Sequence, residues 1–244
     1  MKPFFIISIF VALLIVCSKV ITACSKNNKY GAPLDFITLP VPDGFPAPVQ
    51  NFNQNPISKQ GIALGRRLFY DGILSVDGNF PCSGCHHQIA GFGTYEHDRS
   101  HGYNGSHTLR NAPVLFNLIW KEKFHWDGGF NSLHDEAAQP ITGPVEMAES
   151  FNSVIRKLKS DPTYRQQFRQ VFGSNDIQPT HIQKALEQFT ASLISANSKY
   201  DKFKKGQANF TSDELAGYAI YQNHCAGCHP EPLFTDDSIR NIGL

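Results

Sequence analysis

The sequence predicts a mainly α-helical protein of two small domains, and three observations carry that expectation. Several stretches space apolar residues three and four apart, as one face of a helix requires. A composite pattern, a helix running into a close pair of cysteines and then a turn-rich loop, occurs twice. Between the two copies, residues 173–178 gather Gly, Ser, Asn, Asp and Pro, the composition of a boundary.

Lys2 and the apolar run 4–16 form the positive and hydrophobic regions of an export signal, too short for an ordinary membrane span. The run leads to Val20-Ile21-Thr22-Ala23-Cys24, which resembles the lipobox of bacterial lipoproteins; a plain signal peptide cleaved nearby is the competing reading. Lipidation would make Cys24 the mature N-terminus and a lipid anchor, with Ser25 resembling an outer-membrane sorting residue. The expected location is therefore periplasmic, lipid-anchored to the outer membrane.

Residues 1–23 thus read as signal peptide and 24–54, rich in Asn and Pro, as a tether and loop with little helix. Pro56 is placed to start a helix whose face carries Ile57, Leu64 and Leu68 up to Phe69. Residues 91–129 show neither helical nor alternating period and read as loops wrapped against something. Residues 150–172 read as one helix, with Val154, Ile155, Leu158, Tyr164, Phe168 and Val171 on a face. The next helix is expected to begin at Thr180, capped together with Gln183, and to run its stripe through Leu186, Phe189 and Leu193 to Ala196. Thr211 and Glu214 repeat the capping pattern and open a helix that enters the second cysteine pair. The domains read as residues 55–175 and 176–244.

Lys and Arg number 22 against 21 Asp and Glu, a formal net charge of +1, so no whole-protein field attracts nucleic acid. Six cysteines in an exported chain suggest disulfides, yet Cys17 and Cys24 fall in the targeting segment. The other four form Cys82-Ser83-Gly84-Cys85-His86 and Cys225-Ala226-Gly227-Cys228-His229, both C-x-x-C-H, the attachment pattern of a c-type haem. Two thiols one tight turn apart add across the porphyrin vinyl groups, and the following His sits beneath the iron. A redox disulfide or a zinc site made from both pairs leaves the His after each second Cys unexplained. Two covalently bound haem c groups are therefore expected, in two cytochrome c-like domains.

Several further motifs occur in order: Arg110-Asn111-Ala112-Pro113, Phe124-His125-Trp126-Asp127-Gly128, Gly143-Pro144-Val145-Glu146-Met147 and Pro232-Leu233-Phe234-Thr235-Asp236. With the two haem sites, they make residues 64–244 resemble the bacterial di-haem cytochrome c peroxidases and the related methylamine-utilisation di-haem enzymes. The resemblance implies a peroxidatic haem at His86 and an electron-accepting haem at His229. It implies reduction of hydrogen peroxide with electrons from a small c-type cytochrome or another periplasmic donor. A di-haem electron carrier, and a relative oxidising a protein or small molecule, are the alternatives. A homodimer is a candidate assembly.

Within that resemblance His101, in His101-Gly102-Tyr103, matches a displaceable ligand of the peroxidatic iron; His97 and His107 are rivals, and a solvated loop His is the plain alternative. Glu146 matches the distal carboxylate that moves a proton between the peroxide oxygens, against a simple helix-start cap. Glu136 stands ten positions earlier, where relatives often carry Gln, which puts that part of the pocket in doubt. Trp126 matches the aromatic residue between the haems, or is core. Asn111 resembles a calcium ligand. The family normally continues past the second haem site with the segment that supplies that iron's distal ligand. The second domain is accordingly expected to be incomplete in this chain.

Overall fold

Residues 33–241 are described in a computed structural model; the signal peptide, Cys17, Cys24 and the start of the tether lie outside them. Among the described residues every regular element is a helix, and extended pairing is limited to isolated bridges such as Phe36 with Ser58 and Phe124 with Phe130. No described helix is long and apolar enough to cross a membrane. Residues 33–54 hold no helix.

The first helix, α1 (Lys59–Tyr70), begins later than Pro56 suggests, because Ser58 supplies the cap: its Oγ accepts the Gly61 N–H at 3.0 Å. Its expected stripe is buried, with Leu64 and Leu68 fully covered. Two short helices, α2 (Leu133–Glu136) and α3 (Ala138–Thr142), follow the long loop.

The predicted single helix over 150–172 is two helices, α4 (Phe151–Ser160) and α5 (Pro162–Phe172). Pro162 lacks the N–H that a continuous helix needs and drives Asp161 into extended backbone. The Asp161 carboxylate then caps α5, accepting from Thr163 and Tyr164 at 2.7 and 3.1 Å.

Helix α6 (Pro179–Ala191) also departs from expectation at both ends. Pro179 is its first residue, and His181 rather than Gln183 reaches back, its Nδ1 accepting the Gln178 N–H at 3.3 Å. Gln183 is instead buried, its amide directed at the His134 carbonyl. The helix stops before Leu193 and Ala196 because Asn117 captures the following chain: its N–H donates to Leu193 O at 2.8 Å and its Oδ1 accepts from Ser195 N at 2.8 Å. Beyond lie α7 (Lys199–Lys204) and α8 (Ser212–His224), the latter opened by the reciprocal Thr211 and Glu214 cap that the sequence announces.

The expected boundary at 173–178 joins α5 to α6, and both of these helices pack on α1. Helices α1 and α6 meet closely at two glycines one turn apart, Gly65 against α6 backbone and Gly61 against the Gln188 side chain. A Cβ on Gly65 would stand 1.9 Å from Ala185 O, and one on Gly61 would stand 2.0 Å from Gln188 Oε1. That amide is engaged, since Gln188 Oε1 accepts the Ser58 N–H at 2.9 Å and Nε2 donates to Asn55 Oδ1 at 2.8 Å. Phe69 and Phe189, on the two helices, then bring their ring centroids to 5.1 Å, and Phe69 forms an aromatic floor beside the first cysteine pair.

Replacing Gly65 by Ala drives a methyl group into a carbonyl that cannot move without its helix. Stability should fall by about 1–3 kcal/mol, the ordinary cost of overpacking, which urea unfolding of the haem-loaded protein would measure. An unchanged midpoint would contradict the close contact.

Candidate functional site

A cavity of about 580 Å³ opens beside that floor, within the range of small-molecule and cofactor sites. Its walls include Cys82, Cys85, His86, His101, Asn111, His125, Trp126, Glu136 and Glu146, drawn from the long loop, from α2 and from the segment after α3. The structure thus gathers the first haem motif and each of the separately predicted distal residues around one space.

His86 is oriented by backbone. Its Nδ1 lies 2.8 Å from Phe92 O and 3.1 Å from Pro113 O. A carbonyl only accepts, so Nδ1 carries the proton and Nε2 is left with a free lone pair. Burial holds the imidazole below its ordinary pKa, favouring the neutral, metal-binding form. Phe92 offers its carbonyl from a left-handed backbone, φ 63°, uncommon for a bulky residue.

The second motif repeats the device: His229 Nδ1 lies 3.0 Å from Phe234 O, and Phe234 has φ 57°. In both copies a Phe that follows the C-x-x-C-H motif, Phe92 or Phe234, thus supplies the carbonyl that aims the histidine. Cys225, Cys228 and His229 are exposed, whereas the first motif is partly covered.

Neither cysteine pair of the described residues is joined as a disulfide, and among the described residues no three His, Cys, Asp or Glu side chains converge as a metal site. The two pairs therefore do not share a zinc ion. Burial pushes the Cys82 thiol up to about 12. A porphyrin fits these residues: two spaced thiols and an imidazole with free Nε2 face a large cavity with an aromatic floor.

On the remaining walls, Glu146 is partly covered, and burial raises its pKa. The Gln139 amide, not singled out by the sequence, donates to Glu146 Oε2 at 2.9 Å and opposes that rise. Gly143 leaves room for this oxygen, since a Cβ there would stand 2.3 Å away. Glu136 closes α2 with its Oε1 at 3.5 Å from His125 Nε2, a second residue absent from the predicted site. Trp126 is 56% exposed, so it is not plain core; its Nε1 donates to Asn111 O at 2.7 Å. The Asn111 amide donates in turn to His97 O at 3.1 Å.

His101 lines the cavity, with its ring 4.6 Å from that of His97 and 4.5 Å from that of His107. Its loop is stitched to the Glu146 segment. Tyr103 N donates to Glu146 O at 2.9 Å and Ser106 Oγ donates to Val145 O at 3.1 Å.

The profile of the di-haem cytochrome c peroxidases matches residues 59–209, which contain the first haem motif and these cavity walls. The chain belongs to this family. It is 34% identical over 232 residues to a methylamine utilization protein MauG of Methylorubrum extorquens, covering 93% of this chain and 64% of that protein. It is 34% identical over 183 residues to a cytochrome c551 peroxidase of Nitrosomonas europaea, covering 74% of this chain and 54% of that protein. A solved MauG-like protein associated with microbial copper homeostasis superposes with a TM-score of 0.74 at 30% identity, over 84% of this chain and 62% of its own. The chain therefore spans about half to two thirds of the length of these relatives. Membership in this di-haem family implies haem c as the cofactor.

Gly102 lies where the two walls touch, since a Cβ on it would stand 1.9 Å from Val145 O. Gly102→Ala should force the His101 loop off the 145–146 backbone and cost about 1–3 kcal/mol. Thermal unfolding of the haem-loaded variant would reveal it, and wild-type stability would refute the contact.

Proposed function

We propose that this chain reduces hydrogen peroxide to water with electrons from a reduced periplasmic donor, such as a small c-type cytochrome. The observation that carries the reading is the meeting of His86, its Nε2 free, with a half-buried Glu146 in one cavity. When bound, the haem held at the first motif would supply an iron that takes peroxide, and the haem held at the second motif a store of electrons.

The residues divide the remaining work. Cys82 and Cys85 hold the first haem covalently, with His86 on its iron; Cys225, Cys228 and His229 do the same for the second. Glu146 takes the proton from one peroxide oxygen and returns it to the other, so that the distal oxygen leaves as water. The raised pKa of Glu146 suits a group that must both accept and release a proton near neutrality. His101 is the displaceable ligand, and of the three neighbouring imidazoles it is the one on the cavity wall. Trp126 carries electrons between the haem sites. Asn111, whose amide nitrogen is engaged with His97, keeps its Oδ1 for a calcium ion. We place the protein in the periplasm, tethered to the outer membrane by a lipid on Cys24. Residues 55–175 and 176–244 each carry one haem.

The likeness to the Methylorubrum protein favours a second reading, in which the oxidising power is spent on a protein or small molecule. Peroxide turnover with a reduced cytochrome separates the two. Slow turnover despite two haems per chain would favour the second reading.

Pyridine haemochrome on exported protein should count two haems per chain, and Cys82→Ala with Cys85→Ala should leave one. A disulfide at those thiols with no Soret absorption would end the proposal. Glu146→Gln should lower peroxide turnover by about 10²–10⁴-fold. The Gln139 hydrogen bond favours the ionised carboxylate, so Gln139→Ala should raise the Glu146 pKa further. Turnover that needs Glu146 ionised should then fail at a higher pH on the acid side, and an unshifted acid limb would remove Gln139 from the site.

A further inference from the structure

We propose that His125 and Glu136 form a proton relay into the cavity, in which the imidazole hands its proton to the carboxylate. This deepens the peroxidase reading and rests on it.

His125 occupies the left-handed backbone region, φ 63°, uncommon for a residue other than glycine. The turn is pinned around it. Phe124 N donates to Phe130 O at 2.8 Å, and the Phe130 ring lies 4.7 Å from the imidazole, edge to face. Held this way, the ring directs Nε2 at Glu136 Oε1, 3.5 Å away. That separation is long for a hydrogen bond and short for an ion pair, so a small motion makes or breaks the transfer contact. Both side chains line the cavity and are 24% and 16% exposed.

The charges around the pair favour a loaded imidazole. Glu136 faces it from α2, Glu146 from the segment after α3, and Asp127 from its own turn; Arg110 lies 3.6 Å from Asp127 and offsets part of that charge. The Glu136 carboxylate is the largest influence and raises the His125 pKa against the opposing effect of burial.

The chemistry has a need that Glu146 cannot meet. Peroxide plus two electrons and two protons gives two waters, and a proton that Glu146 merely moves between the two oxygens adds nothing to that balance. Both protons must therefore enter from outside while the electrons come from the reduced cytochrome donor. In each transfer the His125 Nε2–H bond breaks and an O–H bond forms on Glu136, which passes the proton to the oxygen in the cavity. Solvent then reloads the imidazole. His125 acts through Glu136 and is a positioning residue in this scheme.

The test uses haem-loaded wild type, His125→Asn and Glu136→Gln; Asn tolerates the left-handed backbone, and Glu136→Gln provides an independent arm if the first variant folds poorly. Wild-type peroxide turnover should decline on the alkaline side above the ordinary histidine range of about 6.5. A raised imidazole pKa keeps the donor charged to higher pH and loses it as pH passes the raised value. Each variant should lose about tenfold or more at neutral pH, at or below the lower end of general acid–base effects, and should lack the alkaline limb. Fluoride affinity of the ferric protein, read from the Soret band against pH, should show the same alkaline break in wild type and lose it in both variants. An alkaline limb and a fluoride break that survive either substitution would overturn the relay. Wild type with two haems and no peroxide turnover at any pH would instead remove the peroxidase reading, leaving the fluoride break to decide whether the pair loads the cavity.

Discussion

The cavity beside the first cysteine pair is walled in large part by loops, and loop backbone has no helix or sheet ladder to hold it. The bond between His86 Nδ1 and the carbonyls of Phe92 and Pro113 is the contact on which the rest depends. It fixes the ring, and it also ties the first cysteine motif to two distant stretches of the long loop. From there Thr94 Oγ1 reaches Cys85 O at 2.6 Å, and the loop continues to the wall shared with Glu146. The left-handed conformation of Phe92 is the strain accepted for that orientation.

The helices set the position of this loop. Glycine inside a helix costs about 0.5–1 kcal/mol relative to alanine, so Gly61 and Gly65 weaken α1 taken alone. A methyl group at either place would instead collide with α6 at a cost of about 1–3 kcal/mol. The larger figure wins, and the close approach brings Phe69 and Phe189 together under the cavity. Asn55, Ser58, Glu187 and Gln188 are polar groups buried at the same contact, and their mutual hydrogen bonds offset the cost of taking them out of water.

The second motif shares the aiming bond without the enclosure. No residue of α8 is buried, and Leu215 and Ile220 are 48% and 61% exposed. Around it Tyr200, Phe203, Phe210, Tyr218, Tyr221 and Phe234 pack ring on ring, with Phe203 and Phe210 stacked at 4.0 Å.

Local chemistry was legible from the residues alone. The helical class, the α1 stripe, the Thr211 cap and the two thiol–imidazole motifs each depend on neighbours within one or two turns, where spacing and geometry are nearly equivalent. The break at Pro162 is equally local, since a missing N–H is written in the residue itself. Only the tertiary structure decided where α6 stops, because Asn117 holds the chain beyond it from 78 residues away. The tertiary structure also decided that Gln139 serves Glu146 and that His125 serves Glu136. Each of these pairings depends on where a backbone turn directs a side chain across space, and residue spacing does not encode that direction.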